Sequence, residues 1–182
     1  IGLSNGIIIP KEKTEVYEKY MTPEKELDLH SLLKQEQNLR IGVFSGRNYG
    51  HSIENAISAF RKTKTIQERS KNDSVALLNM LLRQRINMIL ALPMEISYVL
   101  RESGIKEDAL TFFPVKGGEK FTMAYMACPG NEWGREVIEK INLIIRKKRS
   151  VFAEYYRDWL DKSGAEAYKK LVGKNFGIQL AE

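Results

Sequence analysis

Apolar positions along this chain recur with two different periods, and the switch between them marks out its elements. Ile7-Ile8-Ile9 is a short β-branched run closed by Pro10, which predicts a strand. Residues 11–26 are charged and contain Pro23, so a loop with one helical turn is expected there. Leu29, Leu32 and Leu33 predict a short helix over Asp28–Lys34. Leu39–Phe44 reads as a second strand, and Ile53, Ala56, Ile57 and Phe60 put one apolar face on a helix over about Gly50–Arg61. A short strand is expected near Thr65-Ile66. Asp73 then caps a helix carrying Val75, Leu77, Leu78, Leu81 and Leu82, which Gln84-Arg85 end. Ile86–Leu92 is a continuous apolar run of strand length, the pattern of a strand buried on both faces. Pro93 opens a helix with Ile96, Val99 and Leu100, and Gly104 closes it. Leu110–Val115 and Lys120–Cys128 read as strands joined by a hairpin turn at Lys116-Gly117-Gly118-Glu119.

After Pro129-Gly130 the whole remainder reads as helix. Val137, Ile138, Ile141, Ile144 and Ile145 form one apolar stripe, and Val151, Phe152, Tyr155, Tyr156, Trp159 and Leu160 the next. Both stripes are expected to pack into a core. Strands alternating with helices predict an α/β fold, with a mostly parallel sheet flanked by helices and a helical C-terminal tail.

One junction stands out chemically. The strand ending at Phe44 runs into Ser45-Gly46-Arg47-Asn48-Tyr49-Gly50 and then into a helix. Such a junction aims backbone N–H groups at a helix start, a seat for an anionic or polar ligand group. Arg47 is suited to clamp a carboxylate or phosphate with two parallel hydrogen bonds.

Composition narrows the remaining classes. The 182 residues suffice for one large or two small domains, and 43% hydrophobic with 29% charged residues suits a globular protein. The net charge of +6 is scattered apart from Arg146-Lys147-Lys148-Arg149, with no basic stripe interleaved with aromatics, so no nucleic-acid partner is expected. A single cysteine, Cys128, excludes an intrachain disulfide and reads as a small core residue. His30 and His51 lie far apart with no ligand set around them, so neither a metal nor another cofactor is expected. No apolar run is long enough to cross a membrane. The chain opens on Ile1 and enters a strand almost at once, which predicts a processed or truncated product.

The ordered set formed by the first strand, Leu27-Asp28-Leu29, the Ser45–Gly50 turn, the helix ending in Arg85 before Ile86-Asn87, and Ala127-Cys128-Pro129 resembles the type II periplasmic solute-binding proteins of family 3. The segments 46–50 and 132–142 look like an uncharacterised branch of it. The resemblance implies two α/β lobes joined by crossover strands, with a small polar solute held between them. Residues 6–123 would then supply the second, ligand-binding lobe, and residues 129–182 the helices that return to the first. The rest of the first lobe, with the arginine that in this family grips a ligand carboxylate, has no counterpart here.

The resemblance implies extracytoplasmic, periplasmic capture of an amino-acid-like molecule or another small anion, for uptake by an ABC transporter or for sensing. It also implies a membrane transporter or sensor as partner. A second copy of the chain or an N-terminal fragment is expected to complete the first lobe. The expected ligand contacts are Ser45, Gly46, Arg47, Asn48 and Tyr49 of the turn, with Leu92 and Glu95 beyond the second buried strand. Leu92 stands where amino-acid binders of the family often carry an acid, and Glu95, one turn on, is the candidate substitute. No Ser-His-Asp set, nucleophile elbow or phosphate-binding loop is present, so no catalytic residue is assigned and a non-enzyme is expected. A sensory domain, or an enzyme on the same scaffold, is the alternative.

Overall fold

A computed structural model describes residues 1–70 and 73–180; residues 71–72, and 181–182 at the end of the expected tail, lie outside it. The strands are β1 (Gly2–Leu3), β2 (Gly6–Pro10), β3 (Ile41–Phe44), β4 (Ile66–Arg69), β5 (Met88–Ala91), β6 (Leu110–Pro114) and β7 (Phe121–Thr122). The α-helices are α1 (Thr14–Tyr17), α2 (Leu29–Gln35), α3 (His51–Ser58), α4 (Ser74–Leu82), α5 (Pro93–Glu102), α6 (Glu132–Arg157) and α7 (Lys162–Phe176). Asp28, Asp73, Asn131 and Asp161 cap α2, α4, α6 and α7, each side chain accepting from the backbone N–H three residues on.

Five strands form one sheet in the order β4-β3-β5-β2-β6. β3 runs parallel to β4 and β5, whereas β2 is antiparallel to both β5 and β6. Four strands therefore point one way and β2 alone the other, which is the expected mostly parallel sheet with one reversed strand. The reversal matters for function, because it brings the start of β2 to the edge where β3 and β5 end.

The two faces of the sheet bury alternate residues, as the strand period requires. Ile7, Ile9, Ile41, Val43, Met88 and Leu90 point to one side and pack with Leu29, Leu32 and Leu33 of α2 and Ile53 and Ile57 of α3. Ile8, Phe44, Ile89 and Ala91 point to the other and pack with α4, α5, and Tyr168 and Val172 of α7. The product is a helix–sheet–helix sandwich. Residues of the terminal segment, Ala153, Leu160, Ile178 and Leu180, belong to this second core.

Three expectations need correction. Residues 116–119 do not make a hairpin, because β6 pairs with β2 in the main sheet while β7 pairs with β1 in a separate two-stranded ribbon. The strand expected over Lys120–Cys128 shrinks to Phe121–Thr122, the length of its only pairing partner. The first C-terminal stripe and most of the second lie on one continuous helix, α6, of 26 residues, with Trp159 and Leu160 just past its end. Its first stripe is not core: Ile144 and Ile145 are exposed, and among the described residues it is Ala153 and Tyr156 near its end, with Leu160 just beyond it, that reach the sandwich.

Candidate functional site

The candidate site lies where β3 and β5 end and β2 begins. Gly6 pairs with Ala91, so Asn5 stands beside Leu92, and Ser45 follows the parallel neighbour of the same row. The Ser45 N–H donates to the Arg69 carbonyl at 2.7 Å, which ties the turn to the end of β4. Gly46 and Gly50 have φ of 67° and 84°, the left-handed region where a side chain is strained; these two glycines let the chain reverse sharply between β3 and α3.

The turn is held from beneath. Tyr49 is buried, and its phenol oxygen accepts from the Phe44 N–H at 2.7 Å. Burial pushes that phenol up to about 12, against the opposing pull of the Phe44 N–H. The Tyr49 N–H donates to Glu54 Oε1 at 3.2 Å, and Glu54 is in turn held by Arg61 at 2.9 Å. Arg61 also meets Glu68 at 2.5 Å, and the two carboxylates hold its guanidinium above its ordinary value. The Gly50 N–H donates to Asn48 Oδ1 at 2.8 Å. Two amides expected to face a ligand thus already have partners within the turn.

Arg47 rises from this frame into a bidentate pair with Glu95. Its Nη1 lies 2.6 Å from Oε2 and its Nη2 2.7 Å from Oε1. Nη1 also approaches Asn5 Oδ1 at 3.4 Å, and the guanidinium lies 4.3 Å from the centre of the Phe44 ring. The fork is fixed by a carboxylate at its end and an aromatic ring on its face, a geometry only arginine provides. Glu95 enters from the first turn of α5, two residues after Pro93, where the helix dipole favours its charge. A second carboxylate is close by: a Cβ built on Gly50 would lie 3.4 Å from Glu119 Oε1.

The structure therefore brings together Arg47 and Glu95, with Ser45, Gly46 and Asn48 exposed beside them and Leu92 half-buried at the strand end. Tyr49 stands apart, sealed under the turn as its support. His51 and His30 are both exposed on helices, His51 contacting Asn55 at 2.9 Å. Sequence reasoning missed Asn5, Phe44 as a stacking partner, and Glu119. The signal for Asn5 was the reversed direction of β2, which is a property of strand pairing and invisible in periodicity. Among the described residues no group of three or more His, Cys, Asp or Glu side chains is arranged to hold a metal ion.

Two hollows flank the dyad. On the β4 side, Ser45, Glu68, Arg69 and Ser70 line an open depression of about 620 Å³. On the α5 side, Ser74, Val75, Met94, Glu95, Tyr98, Val99 and Trp159 line a cavity of about 480 Å³. Glu95 is the wall between the second hollow and Arg47.

No known protein family and no curated protein matches the chain in sequence. Solved structures do match its shape. It is similar to the periplasmic binding protein XoxJ from Methylobacterium extorquens AM1, with a TM-score of 0.54 and 14% identity over 86% of this chain and 67% of that one. It is also similar to the GluR0 ligand-binding core in complex with L-glutamate, with a TM-score of 0.51 and 12% identity over 88% of this chain. The chain spans 61% of the length of that core. Likeness at these identities is likeness of fold, and the architecture of this chain is the α/β fold of the type II periplasmic binding proteins.

Proposed function

We propose that this chain binds a small polar solute, amino-acid-like or another small anion, at the edge formed by Asn5, the Ser45–Asn48 turn and Leu92–Glu95. The observation that carries the reading is the Arg47–Glu95 pair. An arginine fork and a carboxylate, fixed side by side at the ends of parallel strands, match the two charges of a zwitterion. Glu95 uses one lone pair of each oxygen on Arg47 and keeps the others for a ligand ammonium. A ligand carboxylate would meet the exposed Ser45, Gly46 and Asn48, or take the place of Glu95 on the fork. Capture without turnover is the chemistry this arrangement suits, so the protein is read as a binding protein and not an enzyme.

In this reading residues 6–123 are one lobe of a cleft; of residues 129–182 the part from Ala153 to Leu180 packs on that lobe, and the exposed front of α6 faces a second lobe that closes the cleft. The chain works outside the cytoplasm, periplasmic in a double-membraned cell, and hands its solute to an ABC transporter or a membrane sensor. Among the described residues no helix is long and apolar enough to cross a membrane.

The test is a thermal-melting screen of the full chain against the standard amino acids and small dicarboxylates, L-glutamate first. A binder present at a hundred times its Kd raises stability by about 2.7 kcal/mol, a shift of several degrees. Arg47→Ala is expected to abolish the shift while the unliganded melting point moves little. A panel without one responder, or a responder indifferent to Arg47→Ala, overturns the reading.

A further inference from the structure

The cavity beside Glu95 has a chemistry of its own. Its walls are apolar and largely open to solvent: Val75, Met94 and Tyr98 are exposed, and Trp159 stands at the far end. The Tyr98 and Trp159 rings lie 6.1 Å apart at 44°. Trp159 is braced from behind, because the Arg101 guanidinium sits 4.6 Å from the indole centre and donates to the Asp158 carbonyl at 2.5 Å. Two aromatic rings, a methionine and a valine gathered around one open hollow mark an apolar patch suited to contact with a ligand or a partner. Among the described residues the carboxylate in the wall is Glu95, already half of the candidate site.

Resting on the solute-binding reading above, we infer that the solute is an amine with an apolar body. Its ammonium bonds to Glu95, and its aromatic or branched aliphatic part fills the hollow between Val75, Met94, Tyr98 and Trp159. Size and charge both select this class. About 480 Å³ is ample for one phenylalanine- or leucine-sized side chain and leaves a compact polar one surrounded by water. Among the described residues the wall offers a carboxylate to a cation and no cationic side chain to a second anion, so an aspartate-like side chain is rejected by desolvation. Aromatic faces near the carboxylate add attraction for a cation.

Titration calorimetry of the full chain with five probes decides it: L-phenylalanine, L-leucine, L-serine, L-aspartate and 3-phenylpropionate, which keeps the apolar body and lacks the amine. Phenylalanine or leucine is expected to bind at least tenfold more tightly than serine, aspartate and 3-phenylpropionate. Met94→Gln and Tyr98→Ser, both at exposed positions, are expected to weaken that binding at least fivefold while the melting point of the unliganded protein, measured alongside, stays within a few degrees of the parent. Serine or aspartate binding as tightly as phenylalanine, 3-phenylpropionate matching it, or wall variants without effect each overturns the inference. If Arg47→Ala still abolishes binding of whichever probe remains, the solute-binding reading survives that failure. Silence from all five probes at millimolar concentration overturns the inference, and the broader melting screen then decides the reading beneath it.

Discussion

The sandwich of β2–β6 and the long helix α6 carry the same kind of sequence signal and meet opposite fates. In the sandwich each apolar face has found a partner: Ile7, Ile9, Ile41 and Val43 are sealed by α2 and α3, and Ile8, Phe44 and Ile89 by α4, α5 and α7. On α6 an equally regular stripe stays open. Trp133 is 61% exposed, Ile144 56% and Phe152 50%. Periodicity states that a face is suited to burial and says nothing about what buries it. α6 holds its form without that burial because it is long, is capped by Asn131 through the Gly134 N–H, and carries Glu132 in its first turn and Arg157 in its last. Among the described residues its final turns, through Ala153 and Tyr156, are what tie it to the sandwich, with Leu160 following just past its end.

The sharpest way to break this contrast is to delete comparable side chains from both regions. Ile89, fully buried on central β5, is expected to cost about 2–5 kcal/mol as Ile89→Ala. Ile144→Ala on α6 is expected to change stability by less than about 0.5 kcal/mol, since it removes an exposed group and improves helix propensity. Urea denaturation of the two variants compares them directly. Equal losses would mean that the stripe on α6 is buried in solution, by a second copy or a fragment. Hydrogen exchange offers an independent check, with amides of residues 132–150 expected to exchange faster than those of β5.

Tyr49 tests how tightly the sandwich grips the candidate site. Tyr49→Phe removes the acceptor of the buried Phe44 N–H, at a cost of about 1–3 kcal/mol. The same phenol gives stability a dependence on pH. It titrates near 10 in the unfolded chain and is pushed up to about 12 in the folded one, so both states are neutral below pH 10 and its contribution is fully present there. From pH 10 to 12 the unfolded chain loses the proton first, and stability falls by roughly 1.4 kcal/mol per pH unit. Tyr156, whose oxygen accepts from the Leu3 N–H, is likewise pushed up to about 12 by burial and loses stability over the same range. Melting points measured from pH 9 to 12 are expected to fall less steeply for Tyr49→Phe than for the parent. Identical slopes would place Tyr49 in water.

These side chains show which parts of the molecule were legible in the sequence. Local signals were reliable: Asp73 caps the helix it precedes, Pro93 opens α5, and the run before Leu92 is a fully buried strand. The fold class followed from their order. Partnership was not legible. Pairing of β7 with β1 rather than β6, the reversal of β2 that brings Asn5 to the site, and the approach of Glu119 to Gly50 all depend on contacts between residues far apart in the chain. Arg47 and Glu95 were each recognisable as candidates, one in a glycine turn and one at a helix start. That they hold each other required the parallel register of β3 and β5. Tyr49 looked identical to its neighbours in the turn, because nothing in a hexapeptide distinguishes the residue that faces inward.

The smallest expected effect concerns the pair itself and separates a binding device from a structural strut. Arg47 and Glu95 are 19% and 29% exposed, between the closed sandwich and open α6. A strut would be worth several kcal/mol, because breaking a desolvated pair strands a charge. A pair kept at the margin for a ligand needs only enough coupling to hold the fork in place, and partly exposed pairs give about 1 kcal/mol or less. A double-mutant cycle on the unliganded protein, with Arg47→Ala, Glu95→Ala and both together, measures that coupling as the departure from additivity. A value at or below about 1 kcal/mol, falling further in concentrated salt, fits a pair that opens to solute. A coupling above about 3 kcal/mol that salt leaves unchanged would assign Arg47 to the same supporting frame as Tyr49, and the ligand contacts would then have to come from Ser45, Gly46 and Asn48 alone.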